Sequence, residues 1–107
     1  MFPGGMNLGK YGKQFEEMQK KMARLQEDLK ERVVEGTAGG GMVKVMVNGQ
    51  QEVVNVKIDP EVVNPEEKGM LEDLVLAAVN EGVKKAKKLH EAEMARITGM
   101  MLPPGLV

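Results

Sequence analysis

The sequence predicts an α+β fold: a helix, a three-stranded antiparallel sheet and a long C-terminal helix, in that chain order. Three observations predict it. A heptad-spaced apolar series fills the first third, two alternating valine-rich runs flank Asn48-Gly49, and a second apolar series free of proline follows Pro65. With 107 residues, 42% hydrophobic and 29% charged, the chain has the size and composition of a single globular domain spanning 1–107.

The glycine-rich start suggests a mobile tail over 1–9, and the proline-containing end suggests another over 100–107. Between them, Leu8, Tyr11, Phe15, Met18, Met22, Leu25 and Leu29 alternate spacings of three and four. Gly9 and Gly12 weaken the beginning, so the helix is expected from near Lys13 to about Arg32. Glu16–Lys20 and Glu17–Lys21 support it as i,i+4 pairs. Such a narrow seam suits packing on its own domain or pairing with another helix.

Val33 to Ala38 forms a first strand, the Gly39-Gly40-Gly41 run a turn, and Met42 to Val47 a second strand. Asn48-Gly49 is a hairpin signal, and Glu52 to Ile58 is the third strand. With a two- or four-residue loop, Val43, Val45 and Val47 share the core face with Val54, Val56 and Ile58. Met42, Lys44, Met46, Val53, Asn55 and Lys57 occupy the other face, which is too apolar to be left to solvent.

Asp59-Pro60 ends the strand, and Asn64-Pro65-Glu66-Glu67 reads as an N-cap followed by a first-turn proline. Apolar residues from Met70 to Ile97 then carry a helix that should stop near Thr98-Gly99. Pro65 to Thr98 would measure roughly 50 Å at 1.5 Å per residue. A compact chain of this length is only about 35 Å across, so the helices overhang the sheet. Overhanging apolar helices call for a homodimer. Its expected interface is Met42, Met46 and Val53 from the sheet, with Leu71, Leu74 and Val75 from the second helix. The pattern does not choose between the two sheet faces.

Several chemistries are excluded. Cysteine and serine are absent and His90 is the only histidine, so neither a Ser–His–Asp nor a Cys–His arrangement can be assembled from one chain. Gly36 and Gly41 are spaced like phosphate-loop glycines, but Met42-Val43 stands where lysine and a hydroxyl residue are needed. His90 and Glu93 offer one imidazole on a charged helix stretch, which reads as an exposed histidine rather than a metal ligand. Glu72 and Asp73 diverge by 100° on a helix and cannot flank one substrate atom. No enzyme activity, cofactor, metal or small-molecule substrate is expected. No apolar run approaches the roughly 20 residues of a membrane span and no cleavable leader opens the chain, so the expected location is cytoplasmic.

The net charge is −1, but its distribution is uneven. Met1 to Val34 holds seven basic and five acidic residues, whereas Glu35 to Asn64 holds two and four. Within the last segment, Lys84, Lys87 and Lys88 share one helical face, with Lys85 one step around. Such a cluster is either a solvated face or a phosphate-contacting surface blind to base sequence. Lys13, Lys20, Lys21 and Arg24, with Lys10, could extend it along the first helix. No basic–aromatic interleaving suits stacking on single-stranded bases.

Gly39-Gly40-Gly41-Met42-Val43-Lys44-Val45 through Asn48-Gly49, then Val56-Lys57-Ile58-Asp59-Pro60, resembles the central hairpin of the YbaB/EbfC family of bacterial nucleoid-associated proteins. Leu71-Glu72-Asp73-Leu74-Val75-Leu76-Ala77-Ala78-Val79-Asn80 resembles its second-helix signature, and Thr98-Gly99-Met100-Met101-Leu102-Pro103-Pro104-Gly105 resembles its tail. The resemblance covers nearly the whole chain. It implies an intertwined homodimer with helices projecting like tweezer arms. It also implies loosely specific binding of double-stranded DNA at the nucleoid, in chromosome organisation or gene regulation, with Lys84, Lys85, Lys87, Lys88 and the first-helix lysines in the contact zone. The alternative is a protein-interaction module serving DNA repair or replication factors.

Overall fold

The computed structural model describes residues 5–101, with side chains described over 12–99. Helix α1 spans Gly5–Glu31, strands β1, β2 and β3 span Val33–Ala38, Val43–Asn48 and Val53–Ile58, and helix α2 spans Lys68–Met101. The sheet is antiparallel in the order β1-β2-β3. Each helix passes one expected bound: α1 begins before Lys13, and α2 continues beyond Thr98. Residues 5–9 are helical rather than tail, and α2 passes through Gly99, which is not among the positive-φ glycines. The tails expected at 1–4 and 102–107 lie outside the described residues.

Helix α2 is entered through a 3-10 turn at Pro65–Glu67. Asn64 caps that turn, its side-chain oxygen accepting the Glu66 N–H at 3.0 Å. The buried side of α2 is made of small residues, Ala78, Gly82 and Ala86, so the helix lies directly on β1 and β2. Val43, Val45 and Val47 are fully buried beneath it. A methyl at Gly36 would collide with the Ala78 carbonyl and the Gly82 backbone, and one at Gly82 would meet Val47 Cγ2 at 2.7 Å.

The hairpin is built differently from its sequence signal. Asn48 N–H donates to the Glu52 carbonyl and Gln51 N–H to the Asn48 carbonyl, both at 2.9 Å, and Gln51 takes the left-handed φ of 66°. This is a three-residue loop, a turn followed by a left-handed residue, rather than a two-residue Asn-Gly turn. Asn48 is 2% exposed, and its side-chain oxygen accepts the N–H groups of Gln50 (2.9 Å) and Glu52 (3.0 Å). Gly49 is required by proximity, since a methyl there would sit 2.7 Å from Leu29 Cδ2. Gln51→Gly should therefore relieve left-handed strain and stabilise the fold by about 0.5–1 kcal/mol, measured by urea unfolding. An unchanged or lower midpoint would contradict this reading of the loop.

An odd loop shifts side-chain parity by one, and a bulge shifts it back. Val47 pairs with Val53 and Met46 with Asn55, leaving Val54 as the extra residue of β3. Beyond the bulge, Val45 pairs with Val56 and Val43 with Ile58, as the alternation requires. Val53 is thus moved to the side of Val47, away from the face expected for it. The expectation that Val54, Val56 and Ile58 join the core is also corrected. Helix α2 lies chiefly over β1 and β2, so every residue of β3 is exposed, Val56 at 43% and Ile58 at 38%.

Leu25 and Leu29 of α1 are buried and Met22 is half-buried, but Phe15 is 60% exposed. The seam packs on the domain over its last two turns, and Phe15 and Met18 stand away from it. The molecule is correspondingly long, 74 × 24 × 20 Å with a radius of gyration of 21.1 Å. A compact chain of this length would have about 13 Å.

Candidate nucleic-acid interface

Because Ala78, Gly82 and Ala86 turn towards the sheet, helical geometry sends Lys84, Lys87 and Lys88 to the opposite side. All three are exposed, and among the described residues none has an ion-pair partner. Three ammonium groups within about one and a half turns repel one another and raise the local positive potential.

Lys85 has a different task. Its ammonium lies 3.0 Å from Glu81 Oε1 and donates to the Glu35 carbonyl at 3.0 Å. The Glu81 carboxyl is held below its ordinary value, first by the hydrogen bond from Lys85, with the Thr37 backbone N–H assisting. Together Glu81 and Lys85 cap the outer edge of β1 at residues 35 and 37, where a free strand edge would invite further pairing. The sequence cluster of four therefore divides into three free lysines and one engaged in the fold.

Lys13, Lys20, Lys21 and Arg24 are also exposed, on α1. At 1.5 Å per residue, Arg24 stands about 10 Å and Lys13 about 27 Å from the end of α1. They lie along the arm, interleaved with Glu16 and Glu17, whereas the α2 lysines sit beside the sheet.

The base of the arm is clamped by charge. Arg32 reaches Glu93 at 3.1 Å and Asp28 at 3.9 Å, and Arg96 reaches Glu93 at 2.8 Å. Hydrogen bonds from Arg96 and then Arg32 hold the Glu93 carboxyl below its ordinary value. Sequence spacing could have suggested Glu93 with Arg96, but not its pairing with Arg32, which depends on the tertiary fold. His90, one turn beyond the buried Ala86, is half-buried with its Nδ1 atom enclosed and unpartnered. This corrects the expectation of an exposed histidine: the residue belongs to the packed side of α2.

The six residues expected at a subunit interface do not form one surface. Leu74 and Met42 pack on the core, Met46 is half-buried on the far sheet face, and Val53 follows the bulge. Leu71 and Val75 do line an open apolar groove of about 480 Å³ beside β3, with Ile58, Glu72, Leu76 and Val79. Leu76, 60% exposed, is its most accessible apolar side chain and lies outside the expected interface set. Its signal was available as an apolar residue off the core stripe of α2.

Gly39, Gly40 and Gly41 form a turn with φ of 63°, 67° and 94°, and it leads into a strand rather than a helix. Among the described residues, no group of three or more acidic or histidine side chains could hold a metal, and no helix is long and apolar enough to cross a membrane.

The pattern of the YbaB/EbfC DNA-binding family matches residues 4–101. A nucleoid-associated protein of Caldanaerobacter subterraneus is 49% identical over 105 residues, 98% of this chain and 95% of its own. One from Pelotomaculum thermopropionicum is 52% identical over 102 residues, 95% of this chain and 97% of its own. Among solved structures, an uncharacterized Helicobacter pylori protein superposes with a TM-score of 0.76 at 27% identity, covering 84% of this chain and 95% of that one. With this helix–sheet–helix order and a match across nearly its whole length, the chain belongs to the YbaB/EbfC DNA-binding family, a family of DNA-binding proteins rather than enzymes.

Proposed function

We propose that this protein is nucleoid-associated and binds double-stranded DNA as a homodimer with little sequence preference, organising the chromosome or modulating its expression. The observation that carries the reading is the row of Lys84, Lys87 and Lys88 on the outward side of α2, none of which has an ion-pair partner among the described residues. Ammonium groups without acidic partners suit phosphate oxygens, and phosphate contacts are indifferent to base sequence. Lys13, Lys20, Lys21 and Arg24 on the projecting arm supply further contacts. The relatives' description as nucleoid-associated proteins supports the same reading.

The dimer is proposed from the groove. Ile58, Leu71, Val75, Leu76 and Val79 present apolar surface that a second copy's α2 and β3 would bury by two-fold symmetry. The capped edge of β1 and the uncovered β3 favour that side.

Titration into labelled duplexes of unrelated sequence, followed by anisotropy at about 50 and 200 mM salt, tests the reading. Similar affinities that fall together by a factor of 100 or more, on the order expected for several phosphate contacts, would support it. No binding at micromolar protein in low salt would overturn it. Leu76→Glu should shift sedimentation towards monomer, and an unchanged dimer would remove the groove as the interface. The exposed Phe15 and Met18 favour a second reading, a helix-gripping module for a repair or replication protein. That reading predicts partner binding insensitive to salt and lost on Phe15→Ala.

A further inference from the structure

The sheet carries a second basic feature on the face turned away from α2. Thr37 pairs with Lys44 and Lys44 with Lys57, so the three side chains form one row across β1, β2 and β3. Adjacent strands lie about 4.8 Å apart, which sets two ammonium-bearing residues directly opposite each other. Like charges in that position destabilise a sheet. Both lysines are exposed, and among the described residues neither has an ion-pair partner.

The pair borders a cleft of about 230 Å³ lined by Gly41, Met42, Lys44, Lys57, Ile58 and Asp59. Asp59 is the acidic group in that cleft, and its side-chain oxygen is engaged with the Glu61 N–H at 2.9 Å. An anion seated between the ammonium groups would relieve their repulsion, with the Thr37 hydroxyl as a neighbouring donor.

The position of this row matters as much as its charge. Val43 and Val45 point to α2, so Lys44 between them points away, while Lys84, Lys87 and Lys88 leave from the far side of α2. The two basic features are thus back to back, separated by the thickness of the domain. A straight duplex lying on one does not reach the other.

We propose that Lys44 and Lys57, with Thr37, form a second phosphodiester-binding site on the outer sheet face, so that one protein particle holds two duplex segments and bridges them. This rests on the duplex-binding reading above and adds a site and a consequence to it.

The test uses the full chain and the Lys44→Gln/Lys57→Gln variant, whose changes are exposed and remove a repulsion. Beads carrying one duplex are incubated with protein and a second, fluorescent duplex, and anisotropy with a single duplex is measured in parallel. The wild type should capture the second duplex. The variant should capture it about tenfold less while its single-duplex affinity falls by only about threefold or less, because the α2 lysines remain. Undiminished capture would overturn the sheet site. Absence of single-duplex binding by the wild type would instead overturn the DNA reading itself. NMR shifts of Lys44 and Lys57 separate the sources of phosphate. Response to a short duplex at far lower concentration than to inorganic phosphate supports the proposal, and response to inorganic phosphate alone overturns it.

Discussion

Gly36→Ala is expected to cost about 3 kcal/mol or more, lowering Tm by roughly 12 °C or more at fixed protein concentration. The added methyl would meet the Ala78 carbonyl oxygen and the Gly82 nitrogen, with Gly82 Cα at 2.7 Å. All three are backbone atoms, so no side-chain rotation can relieve the contact. The only relief is to lift α2 from β1, which opens a gap over Val43, Val45 and Val47 and forfeits close contact across the core. Gly69→Ala is the control. No atom lies within 4 Å of its added methyl, and alanine in a helix is favoured over glycine by up to about 1 kcal/mol. Thermal unfolding of the two variants side by side decides the matter. A Gly36→Ala Tm within a few degrees of the wild type would show that the helix is not seated as described.

The second large effect is on DNA. Replacing Lys84, Lys87 and Lys88 together with glutamine should reduce the slope of log affinity against log salt by about 2.7 per protomer, at roughly 0.9 per phosphate contact. Near 100 mM salt the affinity should fall by on the order of 100-fold, with Tm little changed because all three side chains are exposed. Lys85→Gln should behave in the opposite way. It removes the bond to the Glu35 carbonyl and the partner of Glu81, so it should loosen the β1 edge and leave the DNA slope nearly unaltered. Equal losses of DNA affinity from Lys85→Gln and from the triple variant would merge the four lysines into one surface again.

Much of this architecture was legible in local pattern. The three-and-four spacing from Leu8 to Leu29 identified α1, and the valine alternation identified β2 and its buried face. Asn64-Pro65 marked the entry to α2, and the length of α2 implied an elongated molecule. Each depends on neighbours within a few residues, where backbone geometry alone relates side chains to faces.

The candidate site was legible as a cluster and not as a division of labour. Lys84, Lys85, Lys87 and Lys88 look equivalent in sequence, and only contact with Glu35, fifty residues away, separates Lys85 from the others. The charged neighbours of His90 in sequence suggest a solvated side chain, but the neighbours that bury it are those across the fold.

Sequence alone determined the order of elements, the three-stranded hairpin architecture, the helical overhang and the basic character of the middle of α2. These follow from periodicity, turn chemistry and chain length, all of which act locally. Tertiary structure decided the rest: the close seat of Gly82 on Gly36, the bulge that moves Val53, and the uncovered face of β3. It also decided the pairing of Arg32 with Glu93 and the back-to-back placement of two lysine groups. Each of these is a contact or an orientation between residues far apart in the chain. Steric exclusion and charge settle such relations only once the helix has docked on the sheet.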